Sequence, residues 1–426
     1  MGNIIFAMQA WSEKYQWWIT NTAHYSLKDE QGNDTLPITH GHQWLGPTNT
    51  AHKQLLLYDY QIGNNIEVDF KFLYHIAPGT KYIYPIEVAS VAYFYNNKEI
   101  GFKHIDSRVI DDCKRGLAKI VLLFPFEGTC GSKHGSEDFK ILNQWCVEKG
   151  LTKSDVYFIH GNMKGPLIAD EHSNFTYIYL DVFKQWVVGL NEKIAEYAPI
   201  NERSLFLSYN RQPRVHRTLL MCELIKSKLL DAGIISYHGG DIKDFASHVS
   251  HHGWPDLQQE AQLLDAMVPM EIDTDLGKNN PAVNLIPDHY KKTLFSIVTE
   301  TLTDNTVIFF SEKTWKTIGV GHPFMIVGSI GILQELQNQG FKTFGRWWDE
   351  SYDQMENLRD RVQIIVNETE RLSKLSLDSK KQIHNEMQDT LTHNLELFNE
   401  IYNQQRPTNR NDDLLYNTVL TIWNSF

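Results

Sequence analysis

Two short segments concentrate the residue types that grip a phosphorylated ligand. The first is Ser208-Tyr209-Asn210-Arg211-Gln212-Pro213-Arg214-Val215-His216-Arg217. The apolar residues 204–209 before it read as a buried strand, and a long helix is predicted over residues 214–232. Pro213 suits a first helical turn. Arg214 and Arg217, three apart, share a helix face. Arginine forks match phosphate oxygens, and cations are disfavoured at a helix N-terminus unless an anion is near. Arg211, Arg214 and Arg217 are therefore candidate phosphate ligands, with Arg211 first; the plainer reading is a solvated basic helix start. The second segment is Ser311-Glu312-Lys313-Thr314-Trp315-Lys316, followed by Gly319-Val320-Gly321-His322-Pro323-Phe324-Met325-Ile326-Val327-Gly328. Here a Glu-Lys pair opens a predicted helix. Free backbone N–H groups at a helix start suit a diphosphate, Lys313 adds a point charge, and Glu312 can accept from ribose hydroxyls. The plainer reading makes Ser311 an N-cap and Glu312 a complement to the helix dipole.

If a phosphorylated ligand held there hands a group to a hydroxyl, a proton acceptor is needed as well. Glu127 follows the apolar residues 117–126 and precedes Gly128-Thr129-Cys130-Gly131, so it stands at a strand's carboxyl end and is the first candidate base; the alternative is an ordinary exposed turn. His160 occupies an equivalent place after residues 155–159 and is the second. Asn162, beside it, and Trp11, after the first predicted strand, are candidate acceptor-binding residues. His248, His251 and His252 lie near Asp241, Asp244 and Asp256. Adjacent histidines cannot both project from one helix face, however, and no paired-ligand spacing appears, so no metal site is predicted. Gly345-Arg346-Trp347-Trp348-Asp349-Glu350-Ser351-Tyr352-Asp353 is read as a structural pin for the helices that follow it, in preference to a cleft lining.

These residues must be positioned by a chain of 426 residues, too long for one ordinary core. Strands are predicted at residues 3–8, 70–76, 91–95, 119–126, 155–160 and 175–179, with a helix at 137–149 and irregular structure over 24–50. The pattern restarts near residue 200. Strands follow at 204–209, 234–237, Thr293–Thr299 and 323–327. Helices follow at 214–232 (stopped by Gly233), Gln258–Met267, 313–320 and 330–339. Residues 354–404 read as helical and 414–426 as an amphipathic helix. The fold class is α/β: two Rossmann-like domains facing across a cleft, with a helical C-terminal tail. The boundaries are 1–200 for an acceptor-side domain, 201–400 for a donor-side domain, and 401–426 for a helix packing back toward the first domain.

The formal net charge of −12 argues against nucleic acid as the principal partner. No apolar run reaches the ~18 residues of a membrane span. The first residues carry no basic leader, and the four cysteines form no CxxC pair, so a reducing cytoplasm is expected.

The block Phe295-Ser296-Ile297-Val298-Thr299-Glu300, with the Glu312-Lys313 segment and Gly321-His322-Pro323-Phe324-Met325-Ile326-Val327-Gly328, resembles the donor signature of α1,3-fucosyltransferases. That signature reads F-x-x-x-F-E-N-S, then T-E-K-x-W, then A-G-x-V-P-V-V-x-G. Phe206-Leu207-Ser208-Tyr209-Asn210-Arg211, together with Gly340-Phe341-Lys342-Thr343-Phe344 and Trp348-Asp349-Glu350-Ser351-Tyr352-Asp353, is similar to segments of phage-type glycosyltransferases. The resemblance implies a GT-B arrangement with the nucleotide sugar on the C-terminal domain, inversion at the anomeric carbon, and no required cofactor. It implies that Glu312 holds the ribose and Lys313 the diphosphate, that an arginine at the strand-to-helix junction contacts the diphosphate, and that Glu300 matches the Glu of F-E-N in the donor site. Thr301 departs from the Asn of that motif and Gly321-His322-Pro323 from Gly-x-Val-Pro, which leaves sugar and base open. The expected activity is transfer of a sugar from a nucleotide-sugar donor to a hydroxyl of a glycan or of a hydroxymethylated base in phage DNA. A non-catalytic binding or structural module on the same scaffold is the alternative.

Overall fold

The computed structural model describes residues 4–8, 26–28, 34–37, 68–87, 91–96, 101–124, 135–165, 169, 173–181, 197–240, 242, 244–272, 285–405 and 414–426. The chain forms two compact units, Met1–Asp181 with Gln405–Phe426, and Val182–Gln404. Each is built on an open parallel sheet, so the fold class is α/β.

In the first unit the strands are β1 (Ile4–Met8), β2 (Ser26–Lys28), β3 (Asp34–Pro37), β4 (Val68–Phe72), β5 (Tyr82–Glu87), β6 (Ala118–Phe124), β7 (Val156–His160) and β8 (Thr176–Tyr179). Six of them form a parallel sheet in the order β4-β1-β5-β6-β7-β8. Helices α1 (Val91–Asn96), α2 (Ser107–Lys114) and α3 (Gly135–Lys149) accompany it. A strand covered on both faces carries a nearly continuous apolar run, and β6 reads Ala-Lys-Ile-Val-Leu-Leu-Phe, interrupted at Lys119. Its Ile120 and Leu122 join Tyr82, Tyr84, Trp145 and Phe158 in the core, where Phe102 stacks on Trp145 at 4.4 Å. The last residues of the chain belong to this unit. The Ser425 hydroxyl lies 3.1 Å from that of Tyr157, and the Lys119 ammonium stands over the Phe426 ring at 5.1 Å.

Several expectations are corrected in this unit. Residues 91–95 form a helix where a strand was expected. Their valine and aromatics suit strands, but Val91 and Tyr95, four apart, both meet the core, and Tyr95 donates to Glu148 on α3 at 3.0 Å. The strand expected at 70–76 ends at Phe72 and turns into a 3-10 helix, Leu73–His75. Within residues 24–50, expected to be irregular, β2 and β3 pair antiparallel. β5 was not foreseen because Pro85 interrupts it. The strand pairs with β6 along its whole length but with β1 only at Phe6 and Ile83, so the missing N–H falls where no β1 partner stands.

In the second unit, β9 (Ser204–Asn210) leads to α4 (Val215–Lys226) and β10 (Gly233–Tyr237). Helices α5 (Phe245–His251), α6 (Gln258–Met267) and α7 (Pro287–Lys291) precede β11 (Thr293–Thr299). Then come α8 (Glu312–Gly319), β12 (Phe324–Val327), α9 (Ile332–Asn338), α10 (Leu358–Ser373), α11 (Leu377–Glu386) and α12 (Gln388–Gln405). The sheet is parallel in the order β10-β9-β11-β12. The helix expected over 214–232 ends at Lys226, and Lys228 makes the turn with φ of 56°. Gly233 is thus not that helix's stop. It opens β10, and the space decides the residue: a Cβ there would lie 2.5 Å from the Phe206 ring.

Candidate nucleotide-sugar site

The second sheet reverses its order between β9 and β11. From β9 the chain moves outward to β10, and from β11 it moves the other way to β12. The two strands lie side by side and parallel. In an open α/β sheet such a reversal opens a crevice beyond the carboxyl ends of the two strands, where ligands bind. Both charged segments identified in the sequence follow these ends: Arg211–Arg217 after β9, and Glu312-Lys313 after β11 and its loop.

A buried polar lattice fixes the strand ends. The Thr299 hydroxyl donates to Asn210 Oδ1 at 2.7 Å, and Asn210 Nδ2 donates to Ser208 Oγ at 3.0 Å. The start of α4 is tied to the end of β11. His216 Nε2 donates to the Glu300 carbonyl at 2.8 Å. Arg217 donates from Nη2 to the carbonyls of Thr299 and Glu300, each at 3.3 Å, and from Nη1 to that of Gln212 at 2.9 Å. Burial, reinforced by Arg217, Arg214 and Lys313, holds His216 well below its ordinary pKa. The same influences place the two helix starts and their cations in one electrostatic neighbourhood. Arg217 is itself pulled down to about 10 by burial and by Arg214.

On α8, Ser311 caps the helix by accepting from the Lys313 N–H at 3.3 Å. Trp315 anchors it, fully buried against Phe310 and Phe341. The Lys313 ammonium donates to Glu312 Oε1 at 3.1 Å, and the two side chains keep 18% and 19% of their surface exposed. They are therefore within reach of a ligand at the helix start. Burial works against charge on Glu312, but Lys313 and Lys316 outweigh it and hold the carboxyl below its usual range. An ionised carboxylate with cations beside it can accept from sugar hydroxyls while the ammonium meets an anion.

No known protein family matches the chain, and no curated protein does. Among solved structures it is similar to "T4 phage BGT in complex with UDP and Mn2+". That likeness has a TM-score of 0.40 and 10% identity, and it covers 99% of each chain.

Two donor candidates take other places than expected. Arg217, expected to clasp phosphate, is 3% exposed and directs its fork to backbone carbonyls. Glu300, assigned to the donor by resemblance, is fully buried. Its Oε2 accepts the N–H groups of Ser311 at 2.9 Å and Thr301 at 3.3 Å, and its Oε1 accepts the Thr314 hydroxyl. Arg211 and Arg214 are half-buried at the junction, and Arg214 is the N-cap residue of α4.

In the first unit, His160 sits among Phe139, Phe158 and Tyr177, and burial pushes its pKa down to about 3. Asn162 is buried, and its side chain accepts the Lys164 N–H at 3.0 Å. Neither environment offers an acceptor hydroxyl an exposed partner. Glu127 and Trp11 lie outside the described residues. His248 and His251 meet the His252 ring edge-on and Trp254 lies tilted against it, and no group of three or more His, Cys, Asp or Glu side chains that could hold a metal ion occurs among the described residues. Trp348 packs on Phe295 and Phe344, while Trp347 donates to Glu386 on α11 at 3.1 Å, so this segment binds the late helices to the sheet. His216 and Thr314 received no role from the sequence. Each stands among charged neighbours that drew the functional reading to themselves, and only the fold shows what it meets.

Proposed function

We propose that the chain is a glycosyltransferase of GT-B type that moves a sugar from a nucleotide-sugar donor to an acceptor hydroxyl. The observation that carries this reading is the meeting of two cation-bearing helix starts, Arg211–Arg217 and Glu312-Lys313, at the reversal of the second sheet. A diphosphate leaving group develops negative charge as the glycosidic bond breaks. Arg211, Arg214, Lys313 and the first N–H groups of α4 and α8 are the groups to stabilise it. Glu312 accepts from the ribose. With His160 kept neutral inside an aromatic pocket, Glu127 is the base to substitute first. The acceptor is a glycan or a hydroxymethylated base of phage DNA, and the acidic balance favours the glycan.

The test is a thermal-shift panel of UDP, GDP, CDP and ADP on wild type and Lys313→Ala. A ligand present at a hundred times its Kd stabilises the folded state by about 2.7 kcal/mol. One nucleotide should raise the wild-type midpoint and leave the variant unmoved. If none moves the wild type, a non-catalytic module replaces the transferase reading.

A further inference from the structure

We propose that Glu300 is the positioning residue of this site: it sets the starts of α4 and α8 in register with each other and does not touch the donor. The inference rests on the donor-site reading above. It is carried by the two ends of one residue. The Glu300 carboxylate is fully buried, and among the described residues it accepts from Thr301, Ser311 and Thr314. Its Oε2 takes the N–H of Thr301, the next residue of the chain, and that of Ser311, the N-cap of α8, at 3.3 and 2.9 Å. One oxygen therefore closes the ten-residue loop 301–310 at its base. Its Oε1 takes the hydroxyl of Thr314, one residue beyond Lys313. The Glu300 carbonyl accepts from His216 Nε2 at 2.8 Å and Arg217 Nη2 at 3.3 Å, both on the first turn of α4. Because a carbonyl can only accept, His216 carries its proton on Nε2. The groups that would bracket a diphosphate are thus referred to a single point at the end of β11.

A carboxylate is suited to this place because every neighbour of its oxygens is a donor. Glutamine keeps the volume and one acceptor. With its oxygen toward the backbone N–H groups, its amide faces Thr314, whose hydroxyl can turn to accept. Alanine leaves those N–H groups without partners.

The experiment measures binding of inorganic pyrophosphate, and of the nucleoside diphosphate that wild type selects, by calorimetry on wild type, Glu300→Gln, Glu300→Ala and Thr314→Val. Hydrogen exchange is followed on the same proteins without ligand. Alanine should weaken both ligands by the same factor, about tenfold or more, which is about 1.4 kcal/mol. Glutamine should restore most of both, and Thr314→Val should weaken both to a smaller, equal extent. Loss of nucleoside diphosphate affinity with pyrophosphate binding intact would mean direct contact with the nucleoside and would overturn the proposal. So would wild-type affinity for both ligands in a folded alanine variant. If alanine does not fold, the glutamine and valine variants carry the comparison. Exchange separates this inference from the donor reading. Residues 214–219 and 311–316 should lose protection together in Glu300→Ala, to a smaller extent in Thr314→Val, and least in Glu300→Gln, whereas unchanged protection there in both the alanine and valine variants, or in Thr314→Val if alanine does not fold, defeats the positioning role whatever binds. Failure of wild type to bind either ligand defeats the donor reading instead.

Discussion

Arg217 and Arg211 stand six residues apart and look interchangeable in the sequence, yet their surroundings assign them different work. Arg217 is buried and holds the carbonyls of Gln212, Thr299 and Glu300. Its removal leaves buried acceptors unmatched, at about 1–3 kcal/mol for each group left without a partner. Arg217→Ala should therefore lower the melting midpoint by several degrees. Arg211→Ala should melt like wild type and bind the selected nucleotide about tenfold more weakly, about 1.4 kcal/mol. Melting curves paired with calorimetry separate the two, and an Arg217→Ala protein as stable as wild type would refute the assignment. The sequence displayed the charge of this junction but not its burial. Arg211 and Arg214 are half-buried at the junction, whereas Arg217 is turned inward by the strand end beside it. Glu300 is the parallel case: the motif gave the residue type its usual place, and only the loop that folds over it shows that both oxygens accept from Thr301, Ser311 and Thr314.

Between elements, α10 is joined to α4 by an ion pair whose carboxylate is buried. Arg359 donates from Nε to Glu223 Oε1 at 3.1 Å and from Nη1 to Asp256 Oδ1 at 2.8 Å, and the Glu223 side chain is 1% exposed. Taking away the arginine strands a buried carboxylate, a loss of about 3–5 kcal/mol. Arg371, by contrast, pairs with Glu368 at the surface, where such pairs contribute about 0–1 kcal/mol. Urea titration of Arg359→Ala and Arg371→Ala should show the first midpoint falling far below the second, and equal midpoints would show that Glu223 finds another partner. The elements of the second sheet were the most legible part of the fold. Thr293–Thr299 and the strand after β9 are short apolar runs bounded by turn residues, and both form as read. The first sheet was less so. A proline hid β5, and a β-branched and aromatic composition disguised α1, because single-segment propensity does not register which neighbour a residue will meet.

For the molecule as a whole, buried neutral histidines set the acid limit of stability. Burial pushes His160 and His322 down to about 3 and His384 to about 4, while the unfolded chain keeps the ordinary value of 6.5. Between those values the unfolded state binds more protons, so stability is complete above 6.5 and is lost as pH falls toward the folded values. Each such histidine contributes a slope of up to about 1.4 kcal/mol per pH unit. Urea midpoints should be level between pH 8 and 7 and decline steeply from pH 6 to 5. A flat profile down to pH 5 would mean that these rings find protons or water in the fold. With a net charge of −12, any binding to duplex DNA should also be weak and should fade quickly with added salt.

The tie between His216 and the Glu300 carbonyl joins residues 84 positions apart. β9, α4 and β10 adjoin in sequence and can pair as soon as they are made, whereas β11 enters on the other side of β9 much later. During synthesis, at roughly 5–20 residues per second, α4 therefore exists for several seconds before the Thr299 and Glu300 carbonyls that will hold Arg217 have been polymerised. Through that interval the guanidinium must stay hydrated on the surface of a half-built sheet, where it discourages neighbouring nascent chains from adding a strand at the open edge of β9.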